Sequence, residues 1–421
     1  MATLQPVRGT HDIAGDDARR HRHVVETARQ QAGRYGFDDI DTPIFEFTPV
    51  FARTLGEGSD VVRKEMYTFE DRGGEELTLR PEYTAGIARA FISGGMRHSL
   101  PLKFFAAGPI FRYERPQKGR QRQFHQIDAE ILGVAGPEAD IEVIALGADI
   151  LAALDVAEHC RLEINTLGDP ESRAAYRHEL VAYFEAHIDN LSEDSRDRLQ
   201  RNPLRILDSK DEGDRRLVAE APLMDAHLND QSSDFFARVL KGLDAIGIDY
   251  EVNSRLVRGL DYYTHTAFEF VTESLGAQGA VIAGGRYDGL IETLGGPATP
   301  GIGWAGGIER LAMLLPATPE GPRPIAVVPI GEAAELRALA LTHGLRGAGH
   351  RVDLGFRGNV QRRMKRANKI NAKVALILGD DELAEAVVTV RDLDSGAETR
   401  VPMDDITGHL ARYREAGGDG S

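Results

Sequence analysis

With 421 residues, 42% of them hydrophobic and 28% charged, the chain is long enough for about two to three domains and has the composition of an ordinary soluble protein. No apolar run approaches the roughly 18 residues that span a bilayer, and the opening MATLQPVRGTHDI lacks the basic-then-apolar pattern of a secretory leader. A cytoplasmic protein with no membrane partner is therefore expected, and 50 basic against 66 acidic side chains, a net charge of −16, argue at first against a nucleic-acid partner.

In chain order, apolar spacing predicts a helix from about Asp16 to Tyr35, stopped at Gly36, then the strand-like FDDIDTPIFE with an extended step at Pro43. Residues 64 to 80 alternate in polarity and predict a hairpin turning at Gly73-Gly74; a helix follows from Pro81 to about Ser93. Two strands, LKFFAAGPIFRYE and FHQIDAEILGV, flank the polar loop Arg115 to Arg122, a hairpin tip too long and too charged to be a mere connector. After a helix from about Pro137 to Leu154 comes Cys160. As the one cysteine it excludes an intrachain disulfide or a multi-cysteine zinc site, and its place before the strand-like LEINTL is that of a small core filler. Charge-rich helical sequence from 170 to 247 interrupts the strands, which resume at IDYEVNSRLVRGLDYYTHTAFEFV and AQGAVIAGGRYDGLI, so a helical insertion between two parts of one sheet is predicted. GIGWAGGIERLAMLL reads as a strand entering a helix whose Met313, Leu314 and Leu315 pack inward. The Pro/Gly stretch 316 to 324 marks a linker, and strands and helices then alternate as in a small α/β domain. The expected parts are 1–169, an insertion at 170–247, 248–320, and a C-terminal domain at 324–421.

A polyanion feels charge only within about a Debye length, roughly 8–10 Å in physiological salt, so local balance matters more than net charge. Between Phe111 and Gln126, five basic residues (Arg112, Arg115, Lys118, Arg120 and Arg122) face only Glu114, and from Arg357 to Lys373 there are seven basic residues and no acid. In the second island Val360, Met364 and Ala367 fall at helical spacing, so a helix can bury that face while Arg362, Arg366 and Lys369 project elsewhere. RLVRGLDYY, at 255 to 263, has the chemistry of a pocket. Arg258 can fork two hydrogen bonds onto a phosphate or carboxylate, Gly259 permits close approach, Asp261 adds a carboxylate, and Tyr262 and Tyr263 offer ring faces and hydroxyls.

Taken together, the motifs resemble those of the histidyl-tRNA synthetases of the class II aminoacyl-tRNA synthetase family, and the resemblance runs along nearly the whole chain. YGFDDIDTPIFE is similar to the first class II motif, at the dimer interface; FRYERPQKGRQRQFHQIDAE resembles the second, and GIGWAGGIERL the third. RLVRGLDYY and AGGRYDGL match the two stretches that set histidyl enzymes apart. The implied fold is an α+β catalytic domain built on an antiparallel sheet with a helical insertion, plus a C-terminal α/β anticodon-binding domain. The implied activity is ATP-dependent attachment of L-histidine to tRNA(His) through a histidyl-adenylate, by a homodimer.

The resemblance also implies roles. Arg112 would bridge the α-phosphate and the substrate carboxylate, and Arg258 would reach the α-phosphate from the other side; these two are the catalytic candidates. Arg310 would lie near the γ-phosphate and the adenine, Phe124 on the opposite face of the base, and Arg120 on the triphosphate, with Mg2+ held mainly by the β- and γ-phosphates and no metal on the protein itself. Glu130, Tyr263 and Tyr287, with Tyr262, would recognise the imidazole, and Glu82, Thr84 and Gln126 the ammonium. Tyr83 stands where the family has a small residue and is expected at the pocket floor. Arg115, Gln117 and Lys118 would meet the acceptor end of the tRNA, and Arg362, Arg366 and Lys369 its anticodon region. His125 and His265 are left without an acid-base role, because adenylate formation needs positioning and charge stabilisation more than a protein base. Arg8, Gly9 and Asp12 match an N-terminal signature without a defined chemical role.

Three rivals stand beside this reading. A non-aminoacylating regulatory subunit of histidine biosynthesis would lack RLVRGLDYY and the C-terminal domain; a module sensing uncharged tRNA would tolerate loss of Arg112 or Arg310. A class II synthetase of other specificity is opposed by Glu130, Tyr263 and AGGRYDGL.

Overall fold

The computed structural model describes residues 3–56, 59, 61–258, 260, 262–276 and 279–413, so Gly259 and Asp261 of RLVRGLDYY lie outside the described residues. The chain divides into two compact units between residues 319 and 320, inside the expected linker.

The first unit is built on an eight-stranded sheet in the order Asp38–Asp39, Leu102–Phe111, Gln123–Leu132, Gly301–Gly307, Ala280–Arg286, Thr264–Val271, Arg161–Thr166 and Glu251–Val252. The six inner strands are antiparallel, and only the two short edge strands pair in parallel. The predicted basic hairpin is its backbone, paired without a slip from Leu102 opposite Leu132 to Phe111 opposite Gln123. Side chains alternate across a strand, so one face of Gln123–Leu132 carries Ile127, Ala129 and Ile131 into the main core while Phe124, Gln126, Asp128 and Glu130 share the other. On the core face, helix Gly15–Arg34 buries Val24, Ala28 and Ala32 at i, i+4 and i+8, and helix Glu138–Ala153 buries Val143, Leu146 and Ile150. Trp304 is 1% exposed there and donates its indole N–H to the Val143 carbonyl at 2.8 Å, so the ring is buried with its polar atom satisfied. Cys160 packs against this core, where burial raises its thiol to about 11.

The predicted hairpin at 64–80 is present as Tyr67–Glu70 and Glu76–Leu79, joined by Phe45–Phe47 into a three-stranded sheet. Its turn is held by Asp71 Oδ1, which accepts from the Gly73 and Glu75 amides at 2.7 and 3.0 Å, with Gly74 at φ +84°. FDDIDTPIFE, expected as one strand, is two short ones, Asp38–Asp39 and Phe45–Phe47, separated by the Thr-Pro step.

Between strands Arg161–Thr166 and Glu251–Val252 lie helices Pro170–Ala186, Glu193–Arg201, Glu212–Glu220 and Asp230–Ala245, each opened by a capping side chain, from Asp169, Ser192, Asp211 and Asn229. Tyr176, Leu180, Phe184, Leu199 and Ile206 belong to a core separate from the sheet's. The fourth helix departs from this, burying Val239 and Leu243 in the main core instead.

In the second unit the strand order is Val352–Leu354, Ile325–Pro329, Val374–Leu378, Val387–Asp392 and Glu398–Pro402, the first three parallel and the rest antiparallel. The basic helix Val360–Lys369 forms as predicted and buries Ala367 as expected, but at its start Arg363 rather than Val360 turns inward. Val360 is 36% exposed, whereas Arg363 is 7% exposed and donates to the Pro329 carbonyl and, at 2.6 Å, to Glu335. A guanidinium on a long apolar stem satisfies the strand end that a valine could not.

Candidate active site

On the sheet face opposite the main core, the first unit encloses a cavity of about 1010 Å³. Of the residues named from sequence, Glu82, Thr84, Arg112, Lys118, Arg120, Phe124, Gln126, Arg258, Tyr262, Tyr263 and Arg310 line it. They come from separate stretches of chain, brought together by the hairpin, the loop after Glu251–Val252, and the strand-to-helix step at Gly307.

Four arginines of the cavity are held by the protein rather than left to swing. Arg112 donates Nε–H to the Pro81 carbonyl at 2.9 Å and sits over the Phe124 ring at 5.5 Å. Arg310 donates to the carbonyls of Gly119 at 3.2 Å and Ala280 at 2.7 Å, and burial, with Arg120 and Arg112 nearby, pulls its guanidinium below the ordinary range. Arg120 pairs with Glu114 at 2.5 Å. Arg258 pairs with Glu269 and lies 5.3 Å from the centre of the Tyr263 ring. Among the described residues the buried Arg258 Nε and Gln126 Oε1 find no hydrogen-bond partner, a donor and an acceptor that a ligand can satisfy.

The wall also carries a buried acid and phenols. Glu82, 5% exposed, accepts from the Ala85 amide at 2.7 Å and from the Tyr262 hydroxyl at 2.9 Å. Its desolvation outweighs these donors and pushes its carboxyl above the usual range. Glu130 and Tyr287 stand just behind the wall. Glu130 accepts from Thr84 at 2.6 Å and from Tyr287, and burial raises it to about 7. Asp128, on the same strand face and 1% exposed, is raised well above the usual range by burial and by Glu130 and Glu82. Gly303 makes room for this arrangement, since a Cβ there would lie 1.6 Å from Glu130 Oε2. Tyr83 is not at the cavity: it is fully buried beside Ala106 and Ile110, its ring under the Arg80 guanidinium, which donates to its hydroxyl at 2.8 Å.

Some residues acquire a place that motif reading did not supply. The Gly9 carbonyl accepts from the Arg122 and Gln123 amides at 2.8 and 3.3 Å, pinning the base of the basic loop. Gly9 has φ +85°, and a Cβ there would lie 2.8 Å from Arg122 Cγ and 2.9 Å from Pro116 Cγ, so only glycine fits. Arg198 and Arg205, from the helical stretch after strand Arg161–Thr166, also border the cavity, as does Met313, which helical spacing predicts to pack inward. Local spacing carries no signal for contacts formed across so many residues. Arg115 and Gln117 are exposed, away from the cavity wall, with Gln117 pairing across the loop tip to Arg120.

His125, His21 and Glu309 cluster behind the loop, their ligating atoms within 4.8 Å of one another. His125 Nδ1 lies 2.7 Å from Glu309 Oε1 and its amide donates to Oε2 at 3.0 Å. That spacing is a hydrogen bond tying the hairpin to the helix after Gly307, tighter than two ligands of one ion would sit. His265 stacks on Phe235 at 4.6 Å, outside the cavity. In the second unit Arg362 and Lys369 are exposed, while Arg366 is chelated by Asp353 at 2.7 and 2.8 Å.

Comparison with known proteins follows the same division. The family model described as histidyl-tRNA synthetase matches residues 9–311, and that described as an anticodon binding domain matches 324–412. A histidine-tRNA ligase of Rhodospirillum rubrum is 61% identical over 98% of this chain and all of its own length, and one of Gluconacetobacter diazotrophicus is 59% identical over 98% and 99%. The crystal structure of apo S. aureus histidyl-tRNA synthetase superposes with a TM-score of 0.81 at 33% identity, covering 97% of this chain and 99% of that one. The chain belongs to the histidyl-tRNA synthetase family of class II aminoacyl-tRNA synthetases.

Proposed function

We infer that the chain is an ATP-dependent histidine-tRNA ligase, which joins L-histidine to tRNA(His) and releases AMP and pyrophosphate. One observation carries the reading of the site: a single cavity brings the cations of Arg112, Arg120, Arg258 and Arg310 together with the carboxylate of Glu82, with Glu130 just behind it. An amino acid and a nucleoside triphosphate need both kinds of charge, since ammonium and imidazole N–H seek carboxylates while carboxylate and phosphates seek guanidinium. In the first half-reaction the histidine carboxylate attacks the α-phosphorus in line and pyrophosphate leaves. Arg112 and Arg258 hold the two anions together and meet the charge that grows on the phosphate, without a proton to lose. Glu130, Tyr263 and Tyr287 select the imidazole, Glu82, Thr84 and Gln126 the ammonium, and Phe124 and Arg310 the adenine. The acids around the arginines are already engaged, Glu114 by Arg120, Glu269 by Arg258 and Glu309 by His125, which favours Mg2+ riding on phosphate oxygens with retained waters over a closed protein cage.

The rival of a regulatory subunit predicts loss of RLVRGLDYY and of the C-terminal unit, and this chain has both. The four-part division, with an insertion at 170–247, is our proposal for how the catalytic domain is interrupted, and a cytoplasmic location follows from where tRNA and ATP are met. Among the described residues no helix is long and apolar enough to cross a membrane. We also propose a C2 homodimer through the region from Tyr35 to Glu46. It is supported by the adjoining three-stranded sheet, which leaves Phe45, Phe47 and Phe69 44–55% exposed on a patch that a second copy would cover; a monomer in sedimentation at micromolar concentration, fully active, contradicts it. Pyrophosphate exchange with each amino acid in turn tests the whole reading: exchange with histidine alone is expected, and exchange driven by another amino acid, or by none, overturns it.

A further inference from the structure

In the second unit the chain passes from strand Val352–Leu354 to helix Val360–Lys369 through a short loop anchored at both ends. The Gly355 amide donates to the Val327 carbonyl at 3.0 Å, Gly358 turns at φ +96°, and Asn359 Oδ1 caps the helix by accepting from the Arg362 amide at 3.1 Å. The space beneath is filled: a Cβ on Gly355 would lie 3.1 Å from Arg363 Cγ. Phe356, between the two glycines, is therefore displayed outward and is 75% exposed, despite having one of the most apolar side chains.

A single exposed aromatic is ordinary on a protein surface. This one differs in its company. From Leu354 to Lys373 the chain carries no acid. The fold engages two cations of this stretch internally, Arg363 with Glu335 and Arg366 with Asp353. The side chains of Arg357, Arg362, Lys365 and Lys369 are exposed and have no hydrogen-bond or ion-pair partner among the described residues. A protein of net charge −16 thus keeps a group of unneutralised cations beside one outward aromatic face. An aromatic ring plus free cations is what a single-stranded nucleic acid needs, a π face for an unpaired base and charge for its backbone phosphates.

We propose that Phe356 is a stacking platform for an unpaired base of the tRNA anticodon loop, with Arg357, Arg362, Lys365 and Lys369 holding the neighbouring phosphates. The proposal rests on the reading that the C-terminal unit meets the anticodon end of tRNA(His), and it adds the contact made there and its chemistry. Stacking and charge leave different signatures. Phe356→Ala in the full chain should weaken binding of a tRNA(His) transcript by about 5- to 150-fold, the span for removing one base-aromatic stack, with the slope of log K against log salt unchanged. Phe356→Tyr should bind like the parent, and Phe356→Leu, of similar bulk without a π face, like the alanine variant. Replacing Arg357, Arg362 and Lys369 together by Gln should instead flatten the salt slope by up to roughly 0.7–0.9 for each phosphate no longer neutralised. With 2-aminopurine at each anticodon-loop purine in turn, one position should be quenched on binding the parent chain and not on binding Phe356→Ala. Parent-like affinity of Phe356→Ala or of Phe356→Leu overturns the stacking contact while leaving the tRNA-facing surface standing. An unchanged salt slope in the triple variant removes that surface too. Weakened self-association with unchanged tRNA affinity in Phe356→Ala makes the face a protein contact and overturns the proposal.

Discussion

The arginines that line the cavity and the exposed cations of the C-terminal basic stretch receive opposite treatments in the fold. Around the cavity, Arg112, Arg120, Arg258 and Arg310 are each fixed by a carbonyl, a carboxylate or both. In the C-terminal unit the fold uses Arg363 and Arg366 for its own stability and leaves Arg357, Arg362, Lys365 and Lys369 free among the described residues. A reacting site benefits from charges whose reorganisation has been completed during folding, because a misplaced cation contributes little to a transition state. A docking site for a flexible polyanion gains from mobile, hydrated cations that exchange counterions for phosphates. Held charge belongs to chemistry, and free charge to capture.

The largest effect that can break this contrast is at Arg258. Arg258→Ala should slow histidyl-adenylate formation, read by pyrophosphate exchange, by about two to three orders of magnitude, the scale of one preorganised charge contact, with a smaller change in histidine affinity. The substitution also strands Glu269, which is largely buried, so stability falls for a reason unrelated to catalysis. The pair Arg258→Ala with Glu269→Gln separates the two: it should recover the melting temperature and none of the rate. Recovery of the rate would mean that Arg258 only neutralises Glu269.

A weaker effect, of about tenfold, is expected one step further from the chemistry. Gly9→Ala places a methyl group where Arg122 and Pro116 already stand, at a left-handed backbone angle, and so shifts the base of the loop that carries Arg120. The KM for ATP should rise about tenfold, equivalent to ~1.4 kcal/mol, while that for histidine moves little. Equal rises in both constants would show that the N-terminal turn supports the whole cavity and not the loop alone.

The frame of the molecule is legible in the sequence because its signals are local. Helices at Gly15–Arg34, Thr84–Ser93 and Glu138–Ala153 begin and end within a few residues of their predicted bounds, since caps and apolar spacing act over a few turns. The hairpin strands are legible from their composition, and most of the expected pocket residues line one cavity, because motif order fixes which loops meet. What is not legible depends on partners far along the chain. Gly9 needs Arg122, Glu309 needs His125, and the outward or inward turn of Tyr83 is set by Arg80 and Gly108, where its hydroxyl occupies the space of an absent Cβ. In the basic helix the apolar pattern points to Val360 as an inward residue, but the end of strand Ile325–Pro329 presents a carbonyl there and selects Arg363.

The smallest effect sharpens the contrast inside that helix. Arg362 and Arg366 lie one turn apart on one basic helix, yet only Arg366 has its fork filled, by both oxygens of Asp353. Arg362→Gln should reduce the salt slope of tRNA binding by up to roughly 0.7–0.9, one phosphate contact, and leave the unfolding midpoint unchanged. Arg366→Gln should do the reverse. It removes a half-exposed ion pair worth up to ~1 kcal/mol, so the midpoint of the C-terminal unit falls by about four to eight degrees at most, while the salt slope changes by less than in Arg362→Gln. Equal slopes in the two variants would mean that tRNA takes Arg366 away from Asp353 on binding, and that the division between held and free charge does not survive the encounter.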